Sequence, residues 1–182
     1  LLRDHRQLGM TVGFAVAERV SALGGRRLRR PHLFGLLGPY RFARLGPVGL
    51  DLAEPLTYMN RSGLVVEELL RRSKVDRSHL LVVTDNLDLA PGATRLKRRG
   101  GAASHNGLKS ISLALGNDEY PGLYLGNGHP GGSEEVIDHV LGEPEPEELD
   151  LIEAGVQRAA ETIFRLPEIG FDQAMHELNR KA

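Results

Sequence analysis

Three short polar segments hold the residues best suited to chemistry. The first is Pro55-Leu56-Thr57-Tyr58-Met59-Asn60-Arg61-Ser62-Gly63. Asn60 offers an amide to a ligand, although either Asn60 or Ser62 could simply cap the helix that follows, and spacing alone favours the cap. The second runs from Val82 to Gly92 and sets Asp85 and Asp88 after an apolar stretch. An acid at a strand end can hold a histidine in one tautomer and stabilise its protonated form. Two ordinary turn acids ahead of Pro91-Gly92 are the plainer reading. The third segment runs from Arg95 to Lys109. In it a basic strand enters a Gly/Ala loop, and His105-Asn106 opens a helix. Helix N-termini attract anions, so Arg95, Lys97, Arg98, Arg99 and Lys109 could meet phosphates there. The competing reading is a solvated strand with Asn106 as a helix cap, and the residues weigh equally for both.

The elements around these segments alternate between helix and strand. Gly9 to Leu23 has a broad apolar face and stops at Gly24-Gly25, which reads as a helix. Arg26 to Pro31 is a basic linker. Tyr40–Ala43 and Gly49–Leu52 read as strands joined by a turn near Gly46-Pro47. Helices are expected at Gly63–Arg72, Asn106–Leu115, Glu134–Leu141, Glu147–Arg165 and Phe171–Lys181. Strands are expected at Leu80–Val83 and Gly122–Leu125, and in the basic stretch from Arg95. This alternation predicts an α/β fold, a single-domain three-layer sandwich with a twisted mixed sheet flanked by helices, spanning residues 1–182. Gly126-Asn127-Gly128-His129-Pro130-Gly131 matches G-x-G-x-x-G by letter only. Pro130 and the lack of a downstream acid argue against a dinucleotide site, so it reads as a loop.

With 23 Lys and Arg against 24 Asp and Glu, the formal net charge is -1. No global basic field exists, so any RNA contact must come from a local patch. Cysteine is absent, which excludes disulfides, thiolate nucleophiles and sulfur-ligated zinc. No apolar run approaches the ~18 residues that span a bilayer, and no signal peptide is visible. A cytoplasmic location is expected.

In order and together, the three segments resemble the bacterial peptidyl-tRNA hydrolase family. Its pattern is similar to P-x-T-[FY]-M-N-x-S-G, then D-x-L-D-L-x-x-G, then G-H-N-G-L-[KR]-S-I. Here these are Pro55–Gly63, Asp85–Gly92 and Ser104–Ile111. Leu125–Pro130 and Asp138–Leu141 resemble later family segments, so the likeness covers about Phe34 to Leu141. The resemblance implies hydrolysis of the ester joining a peptide to the terminal ribose of tRNA. A histidine would act as general base on water, with an aspartate orienting it and asparagine amides binding substrate and the developing oxyanion. It implies no metal or cofactor, peptidyl-tRNA as partner, and a monomer. Position by position, Asp85 matches the orienting aspartate. Asn60 and Asn106 match the substrate-binding asparagines, with Tyr58 and His105 beside them. Lys97 matches a phosphate-holding lysine, accompanied by Arg95, Arg98, Arg99 and Lys109.

The chain departs from the family in four places. Family members open with a strand and G-L-G-N-P-G ahead of R-H-N-x-G, whereas these 182 residues start past that turn. Aligned on Gly9, the base position holds Arg6 and the next asparagine is Gln7. Arginine stays protonated and cannot serve as the base. A one-residue slip returns His5 to that position, and His5 is the expected base. Gly122 and Tyr124 stand where the family has basic residues, and Ala102-Ala103-Ser104 replaces most of a glycine loop. Two other readings follow from these departures. One is a catalytically inactive RNA-binding relative. The other is a chain that lacks a central strand and folds poorly.

Overall fold

Val12, Val16 and Val20 recur at helical spacing and are buried along one face of helix α1, Val12–Leu23. The computed structural model describes residues 12–33, 36–101, 105–128 and 146–180. The expected helix at Glu134–Leu141, His5 and the start of the first helix lie outside these residues. Gly25, at a φ of 64°, lets the chain leave α1. Short strands β1 (His32–Leu33) and β2 (Leu36–Leu37) then pair antiparallel. Strands β3 (Tyr40–Leu45) and β4 (Leu50–Pro55) form the expected hairpin, turning at residues 46–49. A 3-10 turn, Met59–Arg61, leads into α2, Ser62–Ser73.

The remaining strands are β5 (Val82–Asn86), β6 (Thr94–Lys97) and β7 (Gly122–Gly126). They form one mixed sheet in the order β5-β7-β6, with β5 parallel and β6 antiparallel to β7. Helix α3, Asn106–Leu115, lies between β6 and β7 in sequence, as expected. Helices α4 (Pro146–Ile169) and α5 (Phe171–Arg180) close the chain.

Strand periodicity sorts the core into two layers. On β7, Leu123 and Leu125 pack into a cluster with Val16 and Val20 of α1 and Val156 and Ile163 of α4. Tyr124, between them, points the other way into a cluster with Val66 of α2 and Leu108 and Ile111 of α3. The mixed sheet is thus covered on both faces, which is the three-layer α/β arrangement expected.

Two boundaries differ from expectation. The strand expected at Leu80–Val83 runs instead from Val82 to Asn86, because Val82 pairs with Gly122 and Asp85 with Leu125. Asp85 therefore lies within β5 rather than after it. Helix α4 continues past Arg165 and through Pro167 to Ile169. Leu166 and Ile169 pack on the core there, and that burial outweighs the hydrogen bond the proline removes.

Candidate active site

Close packing of two helix starts builds the site. A Cβ on Gly63 would lie 2.1 Å from the Ser110 carbonyl oxygen, so only glycine permits this approach of α2 to α3. The Gly63 N–H donates to Ser110 Oγ at 3.0 Å. A Cβ on Gly107 would meet Met59 Sδ at 2.7 Å. The first and third polar segments, far apart in sequence, are thereby held side by side.

The caps are not those that Asn60, Ser62 and Asn106 offered. Arg61 is the N-cap of α2 and makes no side-chain capping bond, while Ser62 Oγ donates to the Met59 carbonyl at 2.9 Å. Neither Asn60 nor Ser62 caps the helix. At α3 the cap is His105 rather than Asn106, with Nδ1 accepting from the Leu108 N–H at 3.2 Å. Among the described residues the amides of Asn60 and Asn106 make no hydrogen bond, and both are exposed. Two amides released from capping are free to meet a ligand. Tyr58 is 80% exposed beside them.

Asp85 comes from β5 and faces inward, with 13% of its side chain exposed. Asp88 is exposed, and its N–H is held by Asn86 Oδ1 at 2.7 Å, so it is the turn acid of the pair. His105 Nε2 lies 3.6 Å from Asp85 Oδ1 and 3.0 Å from Thr84 Oγ1. Burial works to raise the Asp85 carboxyl. The adjoining His105 ring, with the backbone and the Thr84 hydroxyl, outweighs it and holds Asp85 below the usual carboxylate range.

Thr57, Met59, Thr84, His105 and Gly107 all line one cavity of about 840 Å³, which continues between β4 and β5 over apolar side chains. The Thr57 hydroxyl is buried there without a hydrogen-bond partner among the described residues. Sequence reading passed over Thr57 and Thr84. Thr57 is the threonine of the P-x-T-[FY]-M-N-x-S-G pattern, whereas the only signal for Thr84 is its place beside Asp85, since a threonine in a strand is ordinary.

The cations gather separately. Arg95 and Lys97 project from the exposed face of β6, whose burial alternates along the strand. With Arg98 and Arg99 they line a shallow concavity beside Met175 and Asn179 of α5. The Asn179 amide donates to Leu96 O and accepts from Leu96 N, satisfying the outer edge of β6. Lys97 Nζ sits 5.3 Å from the centroid of the Tyr124 ring, the residue standing where a second cation was expected. Arg98 pairs with Asp172 and stacks on Phe171, while Arg99 pairs with Glu119 at 3.1 Å. Lys109 is exposed on α3, outside this concavity.

Comparison with known proteins gives a consistent result. A family model described as peptidyl-tRNA hydrolase matches residues 9–182. A peptidyl-tRNA hydrolase of Halorhodospira halophila is 40% identical over 166 residues, covering 90% of this chain and 83% of that one. One from Aquifex aeolicus is 36% identical over 180 residues, covering 98% and 92%. The crystal structure of peptidyl-tRNA hydrolase from Acinetobacter baumannii superposes with a TM-score of 0.79 at 31% identity, covering 92% of this chain and 84% of that one.

Proposed function

The chain belongs to the peptidyl-tRNA hydrolase family, and from that premise we propose that it cleaves the ester between peptide and tRNA, using Asp85 to orient the base and Asn60 and Asn106 to hold the substrate. The observation that carries the assignment of roles is an inward carboxylate kept ionised beside two asparagine segments that glycine-dependent packing brings together. In this reaction water attacks the ester carbonyl, a base takes its proton, and the ribose oxygen leaves. Side-chain amides suit the carbonyl oxygen as it gains negative charge. The ribose hydroxyl is a good leaving group beside an amine, so a positioned base and one amide donor supply much of the acceleration.

His5 is assigned as the base, from the resemblance and the one-residue slip, and it lies outside the described residues. Tyr58 and His105 flank the substrate amides. Lys97, with Arg95, Arg98, Arg99 and Lys109, would hold tRNA phosphates, since a basic strand and a helix start are both suited to anions. Translation supplies peptidyl-tRNA in the cytoplasm, which is where this reading places the protein, acting as a monomer.

The test is release of tRNA from a purified peptidyl-tRNA. Cleavage is expected from the intact chain, with Asp85→Ala and His5→Ala each lowering kcat at least ~100-fold, the usual weight of a general base and its partner. Turnover unchanged in His5→Ala would overturn the base assignment. RNA binding without cleavage by the intact chain would favour the non-catalytic reading, which Arg6 at the aligned base position supports.

A further inference from the structure

A chain of donors runs from the start of α3 to the Asp85 carboxylate. The Leu108 N–H donates to His105 Nδ1 at 3.2 Å. A ring nitrogen that accepts a hydrogen bond carries no proton, so the proton of the neutral ring sits on Nε2. Thr84 Oγ1 lies 3.0 Å from that atom and accepts from it. The Thr84 hydroxyl is then directed at Asp85 Oδ1, 3.5 Å away. The direct His105–Asp85 separation of 3.6 Å is too long for a hydrogen bond, so threonine bridges the two.

We infer that Thr84 is a positioning residue, the middle link of a one-way hydrogen-bond chain from Leu108 through His105 that aims the Asp85 carboxylate, and that His105 serves in it as a fixed donor rather than as the base.

Two physical points support this. The lone pair of the neutral His105 ring points at a backbone amide of α3, so it cannot face a water molecule. Taking a proton there would also break the capping bond of the helix. Thr84 is 6% exposed within a strand where valine would have the same shape. A hydroxyl buried at such a position costs stability unless it is bonded, and here it is bonded on both sides.

The kinetic arm of the test rests on the ester-hydrolase reading, and the spectroscopic arm does not. Wild type, Thr84→Val and Thr84→Ser are compared by nitrogen NMR of labelled histidine and by steady-state cleavage of peptidyl-tRNA. The Nε2–H tautomer is expected for His105 in wild type. In Thr84→Val the Nε2 signal should move, and kcat should fall about tenfold with KM within about twofold, the loss of roughly one aligned hydrogen bond in the transition state. Thr84→Ser should restore both. A Nδ1–H tautomer in wild type, or a Thr84→Val variant with full kcat beside an active wild type, would overturn the inference. If no variant cleaves the ester, the hydrolase reading falls, and the position of the Nε2 signal across the three proteins still decides the inference.

Discussion

Glu54 of β4 is 1% exposed and faces Arg41 of β3, which also reaches Glu18 of α1. Burial pushes its carboxyl up to about 7, more than the Arg41 guanidinium pulls it down, and Glu18 adds to the rise. The folded protein therefore holds this proton at pH values where the unfolded chain has released it. The stability linked to Glu54 is complete below the unfolded value of about 4.3 and drains away as pH rises through 7. Asp85, held low, has the opposite sign: its contribution is present above its unfolded value and lost on acidification. Denaturant midpoints between pH 5 and 8 should thus decline in the wild type and flatten in Glu54→Gln. An identical decline in both proteins would show that Glu54 is not its source. Asp85 was legible in the sequence as one of two acids, and the strand register then separated it from Asp88. Glu54 was not legible, because burial of a charge depends on a partner across a hairpin and on a helix elsewhere in the chain.

Most elements were legible because their cores follow simple periods. The apolar spacing of α3 placed it at Asn106–Leu115, where it lies. The two-residue strands β1 and β2 carry too few residues to show a period. Contacts between elements were less visible, and glycine is where they concentrate. Gly92 has a φ of 77°, and a Cβ there would lie 2.0 Å from the Leu151 carbonyl oxygen of α4. Its own carbonyl accepts from Arg158 Nη2 at 2.8 Å and lies 2.4 Å from where a Cβ on Gly155 would be. The turn after β5 is thus fastened to α4 by two facing glycines and one arginine. Gly92→Ala combines a left-handed residue with a backbone collision, and should cost on the order of 3 kcal/mol in equilibrium unfolding. Gly25→Ala, at a φ of 64° with nothing within 4 Å, should cost only about 1 kcal/mol. Equal losses in the two variants would mean that the α4 contact contributes nothing beyond the conformation of the turn.

At the scale of the molecule, a formal charge of -1 means that attraction to RNA depends on where the cations stand. The run from Arg95 to Arg99 was plain in the sequence, but its pairing was not. Arg98 meets Asp172 and Arg99 meets Glu119, both from other elements, and these acids already offset part of the patch. Arg95 and Lys97 have no carboxylate partner among the described residues, and Lys97 is steadied over Tyr124. The two pairs of cations should therefore weigh differently in binding. Removing one cation that neutralises a phosphate lowers the slope of log affinity against log salt by roughly 0.7–0.9. Arg95→Gln with Lys97→Gln should reduce that slope for tRNA by about 1.5, measured between low and moderate salt. Arg98→Gln with Arg99→Gln should reduce it by less than about 1, since to reach phosphate those guanidiniums must first leave Asp172 and Glu119. A larger reduction from the second pair would place the phosphate track along the α5 side of the concavity, where the Arg98–Asp172 pair would have to open on binding.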